Sequence, residues 1–450
     1  MNKDIVCIGA GYIGGPTMAV IALKNPDRKV WVVDVDAERI ARWNSDSLPV
    51  YEPGLKEIVQ EVRGRNLFFS TDIVGCIRKC DIIFVGVNTP TKTYGRGAGK
   101  ASDLRYWESC ARTIHDAANR DKIVVEKSTL PVRTAEALKK VLDTHSSFKF
   151  TVLSNPEFLA EGTAINDLLN PDRVLIGGPD DKDGRRAVKA LCDVYSPWVP
   201  PEKIITTNLW SAELSKLASN AVLAQRVSSV NALSSLCEAT GADIDEVSAV
   251  MGSDSRIGPK FLKAGPGFGG SCFKKDVLNL VYLCESHGLQ PAAEYWEQVI
   301  KINDWQQARI VDRMVDAMFQ TLSDKRIAIF GFAFKADTGD TRETPALNIV
   351  SRLRQEHAKI VVTDPQALEN AKKDLAEFGD AIEFEPDPYR AAAKADAIVL
   401  MTPWEEYRNL DWRRVKRAMR APMLVFDTRN ILDHARLKRI GFNVLAVGKA

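Results

Sequence analysis

Residues 4–8 read Asp-Ile-Val-Cys-Ile, and Gly9, Ala10, Gly11, Tyr12, Ile13 and Gly14 follow without a break. The apolar run is a buried strand. Met18, Ala19, Ile21 and Ala22 continue at helical spacing, and Lys29-Val-Trp-Val-Val-Asp34 is a second strand. A glycine-rich turn between strand and helix lets a pyrophosphate approach the backbone, with the helix N-terminus facing its charge. Gly9 permits the tight turn, Gly11 the close approach, and Gly14 the contact of helix with strand. Asp34 lies about 20 residues beyond Gly14, where an acid hydrogen-bonds an adenosine ribose. The order of strand, turn, helix, strand and acid predicts a doubly wound dinucleotide-binding domain. An acid at this place repels a 2′-phosphate, which favours NAD over NADP; Arg39 nearby argues the other way.

A chain of 450 residues exceeds one core, so two or three domains are expected. The net charge is +2 without a long basic or acidic block, which argues against nucleic acid as a partner. The chain starts with a strand pattern and not a signal peptide, and no apolar run approaches the ~18 residues of a membrane span. The cysteines, 8 in number, are scattered through apolar patterns, as in a cytoplasmic protein with reduced thiols. Cys76 and Cys80 lack the spacing of a zinc knuckle and the histidines are dispersed, so no metal site is expected.

Further strands are expected at Asp81-Ile-Ile-Phe-Val-Gly-Val87, Lys122-Ile-Val-Val-Glu126 and Thr151-Val-Leu-Ser154. In a parallel sheet, ligands gather at the carboxyl ends of strands, which makes Thr129, Glu157 and Glu161 candidates for the site floor. From about Trp210 to Thr240 the pattern is helical, with Leu214, Leu217, Ala221, Val222, Val227, Val230 and Leu233 along one side. So long a helix reads as a spine joining two sheet domains, with a face left for a partner subunit. Lys216 and Asn220, four apart, share a helix face, and a cation with an amide can steady an oxyanion. The last part repeats the first. Lys325 to Phe334, Lys359 to Asp364, Ala395 to Pro403 and Met423 to Asp427 parallel its strands. The first turn of the repeat keeps only Gly331, and Phe334 and Lys335 stand where glycines would be. It should not hold a pyrophosphate in the same manner. Lys335, Arg342 and Arg429 are basic residues that suit a phosphate-bearing substrate.

One stretch carries the chemistry: Gly265-Pro-Gly-Phe-Gly-Gly-Ser-Cys-Phe-Lys-Lys-Asp276. Val277, Leu278, Leu280, Val281 and Leu283 make a helix that ends near His287-Gly288. Ser271 reads as its N-cap and Cys272 as a first-turn residue. A helix N-terminus stabilises a thiolate, and Lys274 and Lys275 add charge. A dinucleotide site with an activated cysteine points to hydride transfer through a covalent intermediate. Oxidation of a primary alcohol to a carboxylate needs both. Asp276, one turn on, can orient the hydrolytic water.

Nine stretches together resemble the UDP-glucose/GDP-mannose dehydrogenase family, its eukaryotic branch most. They are Gly9 to Gly14, Tyr51 to Leu55, Val87 to Gly95, Glu126 to Thr129, Asn155 to Gly162, Asn170 to Gly178, Leu214 to Ala221, Gly267 to Phe273 and Gly331 to Lys335. The resemblance implies two Rossmann-like α/β domains joined by a long central helix and a helical middle domain. Their expected bounds are 1–208 for the NAD-binding domain, 209–322 for the dimerisation and hinge region, and 323–450 for the UDP-sugar-binding domain. It implies NAD-dependent, four-electron oxidation of UDP-glucose to UDP-glucuronate through a cysteine thiohemiacetal and thioester. Cys272 would be the nucleophile. Thr129, Glu157 and Asp276 would serve proton transfer and water, and Lys216 and Asn220 the oxyanion. The cofactor would meet Gly9 to Gly14, Asp34, Arg39, Val87, Asn88, Thr89, Pro90, Thr91, Ser128, Thr129, Glu161, Lys275 and Arg342. The sugar nucleotide would meet Glu157, Phe158, Leu159, Ala160, Glu161, Lys216, Asn220, Lys263, Phe268, Gly269, Phe334, Lys335 and Arg429. Arg256 would reach a neighbouring subunit's site, which implies a homo-oligomer, a dimer or a hexamer of dimers. Lys274 stands where the family has Gln or Pro, Gly265-Pro266 is an unusual lead into the loop, and Thr428 replaces a Gly. A GDP-mannose or UDP-N-acetylmannosamine dehydrogenase, a one-step hydroxyacid dehydrogenase and a non-catalytic dinucleotide sensor remain as alternatives.

Overall fold

β1 (Ile5–Ile8) pairs in parallel with β2 (Val30–Val33) on one side and β4 (Ile82–Val85) on the other. The protein is seen here as a computed structural model that describes residues 4–449. Met1, Asn2 and Lys3, within the opening stretch and the first expected domain, and Ala450, at the end of the last, lie outside the described residues. The chain divides into two compact units, Met1–Ser219 and Asn220–Ala450, and the boundary falls inside the long spine helix Leu209–Thr240.

In the first unit β3 (Leu67–Ser70), β5 (Lys122–Glu126), β6 (Phe150–Ser154), β7 (Val174–Gly178) and β8 (Ile204–Asn208) complete a sheet of order β3-β2-β1-β4-β5-β6-β7-β8. Its central strands are apolar throughout because helices cover both faces. One face buries Ile5, Cys7, Val30 and Phe84, the other Val6, Ile8, Ile83 and Val85. The strand order reverses between β1 and β4, and this switch point is where open α/β sheets bind ligands.

The turn after β1 is fixed by sterics. Gly9 holds φ +108°, and a Cβ there would lie 2.5 Å from the Gly86 carbonyl oxygen. A Cβ on Gly14 would lie 2.0 Å from the Gly9 oxygen, so the first helix, Gly14–Lys24, rests directly on the turn. Asp34, just past β2, accepts the Ala10 N–H at 2.8 Å and locks the turn from the side.

The second unit repeats the plan. β9 (Arg326–Phe330), β10 (Lys359–Thr363), β11 (Ile382–Phe384), β12 (Ala397–Leu400), β13 (Leu424–Asp427) and β14 (Asn443–Ala446) form a parallel sheet of order β11-β10-β9-β12-β13-β14. Asp364, just past β10, accepts the Phe332 and Ala333 N–H groups at 2.7 and 3.0 Å, as Asp34 does in the first unit. Helices Ile244–Ser253, Phe273–Ser286 and Gln290–Ala317 precede this sheet, the last two packed on Ala221, Ala224 and Phe268. Among the described residues, no helix is long and apolar enough to cross a membrane.

The spine helix keeps most of its expected face, with Val227 and Leu233 packed on the cores, and departs from it at two positions. Leu217, Ala221 and Val230 are buried, whereas Leu214 and Val222 are 43% and 47% exposed. The buried side also carries Glu213, Lys216 and Asn220, each held by a polar partner.

Gly14→Ala tests the steric lock. Backbone cannot yield as a side chain does, so the cost should reach about 3 kcal/mol or more in urea denaturation. A loss under ~1 kcal/mol means the helix can lift off the turn.

Candidate active site

The first unit presents a bare dinucleotide cradle. No atom lies within 4 Å of a Cβ built on Gly11, and the first helix has no side-chain cap on its N-terminus. Its leading N–H groups and dipole are therefore suited to the pyrophosphate of NAD. Arg39 hydrogen-bonds Asp34 at 3.1 Å and pairs with Asp36 at 3.3 Å. Two carboxylates neutralise it, which removes the argument for a 2′-phosphate.

Polar strand ends form the rest of this side. The Thr89 hydroxyl donates to the Thr129 carbonyl at 3.1 Å, and the Ser128 hydroxyl to the Val87 carbonyl at 2.7 Å. These bonds stitch the segment Val87, Asn88, Thr89, Pro90, Thr91 to the end of β5. Thr91 bridges Ser102 beyond it. After β6 comes Glu157, whose Oε1 lies 3.4 Å from the Lys216 ammonium, with side chains 7% and 5% exposed. The other Glu157 oxygen accepts no hydrogen bond among the described residues. Lys216 also stands 5.4 Å over the Phe158 ring. Leu159 packs on the first core, Ala160 is exposed and Glu161 half-buried.

Lys127 is a buried cation beside these groups that sequence reasoning did not single out. Its ammonium is buried and donates to Asn155 Oδ1 at 3.2 Å and to the Tyr195 hydroxyl at 3.5 Å. Burial pushes it down to about 8, while Glu157 pulls it back up. The visible signal was a lysine inside Glu126-Lys-Ser-Thr129, at the end of an otherwise apolar strand.

The second unit holds Cys272, Asn220 and Asp276. The thiol helix starts at Phe273, one residue later than expected, and Cys272 occupies the cap position. The Cys272 carbonyl accepts the Asp276 N–H at 2.9 Å and so closes the first turn, while the Ser271 hydroxyl sits 3.5 Å from the sulfur instead of capping. The two lysines are not simply charges beside the thiol: Lys274 pairs with Glu343 at 2.9 Å and Lys275 with Asp276 at 2.9 Å. Asp276 is fully buried, and its second oxygen accepts the Asn220 amide at 2.6 Å. Asn220 is thus tied to Asp276, and Lys216 to Glu157.

The loop before Cys272 is buried and clamped by amides. Asn231 accepts the Gly265 N–H at 2.8 Å, Gln306 donates to the Gly265 carbonyl at 2.8 Å, and Asn303 accepts the Phe268 N–H at 2.8 Å. Phe268 itself lies in the apolar cluster of this unit. Phe334 packs against Gly269 and Gly270, with the Lys335 ammonium 5.6 Å over its ring. Arg429 donates to the carbonyls of Met401 at 2.7 Å and Phe334 at 3.1 Å. Burial lowers its pKa to about 10, and no carboxylate lies within ion-pair distance of its guanidinium among the described residues. Arg342 forks onto Asp340, Lys263 is exposed, and Arg256 is exposed with its guanidinium on Asp254 at 2.6 Å.

A nucleotide cradle on one mostly parallel sheet, a shorter repeat of that sheet, and a cysteine at a helix start define a dehydrogenase that works with NAD. Three family models cover the chain: the NAD-binding domain over residues 3–199, the central domain over 210–305 and the UDP-binding domain over 328–434. The chain belongs to the UDP-glucose/GDP-mannose dehydrogenase family. It is 58% identical to UDP-glucose 6-dehydrogenase 2 of Arabidopsis thaliana and to UDP-glucose 6-dehydrogenase 1 of Glycine max, over 99% of this chain and 97% of each of those. Among solved structures, a UDP-glucose dehydrogenase from Pyrobaculum islandicum superposes with a TM-score of 0.88 at 30% identity, covering 100% of this chain and 98% of that one.

Lys127 gives a pH test. Its folded value lies below that of a free lysine, so the folded chain binds fewer protons between the two, and stability rises with pH from about 8 to ~10.4. Lys127→Met should remove that rise, on the order of 3 kcal/mol in full. Urea denaturation at both ends of the window measures it; a difference between wild type and variant that stays constant with pH defeats the reading.

Proposed function

We propose that this enzyme oxidises the primary alcohol of UDP-glucose to the carboxylate of UDP-glucuronate, through a covalent bond to Cys272. The observation that carries the reading is Cys272 at the start of the helix Phe273–Ser286, behind a clamped glycine loop and one turn before the buried Asp276. The names of the plant relatives support the choice of substrate. Arg429, a buried cation with no carboxylate within ion-pair distance of its guanidinium among the described residues, suits a diphosphate.

Bound in the Gly9–Gly14 cradle, NAD+ supplies the hydride acceptor for each of two rounds of oxidation. This chain's residues do the rest. Glu157, beside Lys216, takes the proton of the alcohol as it becomes an aldehyde. The Cys272 sulfur adds to the aldehyde carbon and forms a C–S bond, and the oxygen gains a proton to give a thiohemiacetal. Lys216 and Asn220 donate to that oxygen while it carries negative charge. Loss of a second hydride and a proton leaves a thioester. Asp276 orients a water whose attack breaks the C–S bond, releasing the carboxylate and restoring the thiol. Thr129 and Glu157 serve the proton transfers. Covalent capture keeps the aldehyde from escaping.

The reading divides the chain into regions 1–208, 209–322 and 323–450, with the middle one for assembly. Trp210, Leu214, Val222 and Leu236 are exposed along the spine helix and suit a second copy of the chain, in a dimer or a hexamer of dimers. Free thiols throughout the described residues suit the cytoplasm.

The deciding experiment counts NADH per sugar, with the product identified by mass. Two NADH per UDP-glucose are expected, and faster turnover of GDP-mannose or UDP-N-acetylmannosamine would overturn the substrate. Cys272→Ala should bind NAD and yield no uronate; undiminished uronate refutes the covalent route. Lys216→Ala should lose about 10²-fold in kcat, and a loss under about threefold removes it from the chemistry. Arg256→Ala should raise KM for UDP-glucose, and an unchanged KM counts against a shared site.

A further inference from the structure

Glu126 closes β5 with its side chain sealed from solvent at 1% exposure. No N–H or O–H donor reaches either of its oxygens among the described residues except through a second acid. An ionised carboxylate left alone in such a place is untenable. The acid that acts on it is Glu213 of the spine helix, itself 3% exposed.

Their surroundings are unequal. Glu213 accepts the Arg133 N–H at 2.7 Å on one oxygen and the Ala135 N–H at 2.9 Å on the other. These N–H groups open the helix Thr134–Asp143, which has no side-chain cap of its own and is preceded by Arg133 at φ +74°. Glu213 is its cap, supplied from a distant part of the sequence, and the helix dipole favours negative charge there. The carboxyl with two N–H donors keeps the charge, and the one with none keeps the proton. The nearby cations are engaged elsewhere. Arg133 turns to Glu136 and the Trp210 ring, Lys216 to Glu157, and Lys127 to Asn155 and Tyr195. Burial, and then the charge of Glu213, hold Glu126 well above the usual carboxylate range. Glu213 is pushed up to about 7 by burial while the N–H donors pull it down.

We propose that Glu126 and Glu213 share one proton, and that this acid–carboxylate pair fixes the start of the spine helix so that Lys216, one turn beyond Glu213, stays against Glu157. Glu126 and Glu213 are positioning residues. The positioning half rests on the proposed role of Lys216 at the reaction centre; the shared proton does not. Both pKa values are raised, so the folded chain holds more protons than the unfolded one above the ordinary glutamate range. The pair's stabilisation is complete below that range and is lost as pH rises through the folded values.

The test is a carboxyl NMR titration of the full chain labelled at glutamate, beside pH profiles of unfolding and turnover. One carboxyl should stay protonated at neutral pH in the wild type and vanish in Glu126→Gln, whose amide donates to Glu213 at every pH. The fall of the wild-type unfolding midpoint with rising pH should be flatter in that variant. Its alkaline limb of kcat should move up by about one pH unit. Glu213→Gln, which cannot carry the charge, should lower the midpoint at every pH. No protonated carboxyl at neutral pH, or superposable midpoint profiles, overturns the shared proton. A protonated carboxyl with an unmoved kcat limb overturns only the positioning. If wild type makes no NADH from UDP-glucose, the substrate reading fails while the titration still reports on the pair.

Discussion

A polar group taken out of water must find a partner, and the spine helix buries a file of them. Glu213, Lys216, Asn220, Ser228, Asn231 and Ser234 are all under a tenth exposed. Left without a partner, each would cost about 1–3 kcal/mol, and more for the charged ones. Every one is met. Glu213 takes the N-terminus of Thr134–Asp143, Lys216 takes Glu157, Asn220 takes Asp276, Ser228 the Val299 carbonyl, Asn231 the Gly265 N–H, and Ser234 the Asn231 carbonyl. Within each unit, then, the helix dictates where a strand end or loop can sit. The residues proposed for chemistry are largely those that satisfy it.

The two sheets show how one architecture yields two kinds of site. Both lock the first turn by a glycine at positive φ and by a carboxylate just past the second strand, Asp34 in one and Asp364 in the other. They diverge beyond that glycine. After Gly9 the turn is bare and the helix N-terminus open, so a pyrophosphate can come against backbone. At Gly331 the space is closed by Thr402, 2.3 Å from a Cβ built there, and buried Phe332 follows, so no bare backbone is left for a pyrophosphate. The lock is a folding requirement common to both, and the cradle is an addition in the first.

This separation explains what the sequence discloses. The cradle is legible because Gly9 and Gly14 are demanded by hard-sphere limits that leave one residue type, and Asp34 by a fixed chain distance. The repeat is legible because strands buried on both faces read as apolar runs. The spine helix was legible as a helix and in most of its apolar face, but not in the polar residues it buries. Leu214 and Val222 look like core, yet the energy that orients the helix comes from polar pairs whose partners lie far off in sequence. Glu126 reads as a strand-ending acid, and nothing local tells that Glu213 will meet it. Asn303 and Gln306 were invisible for the same reason: each looks like a solvated side chain until the fold supplies its partner. The cap before Cys272 shifted by one residue because Ser271 turns to the sulfur, a choice settled by the loop and not by cap preference.

The same need for partners governs the loop that leads to the thiol. Glycines in a row are costly to order, since they have the most backbone freedom to lose. A glycine loop left to itself would not hold a nucleophile still. Here Gly265 is gripped on both its N–H and its carbonyl, Phe268 on both of its own, and the Gly270 N–H donates to the Arg342 carbonyl at 2.9 Å. The Phe334 ring lies against Gly270, where a Cβ would stand 3.0 Å from it. Glycine is needed there because the ring leaves no room, and the amides are needed because glycine has no side chain to anchor. Cys272 comes two residues later, with its carbonyl already in the first helical bond. The sulfur is therefore held from the loop side by amides and from the helix side by the backbone. This is the pre-organisation that the proposed covalent step requires if its bond is to form in the same geometry in every turnover.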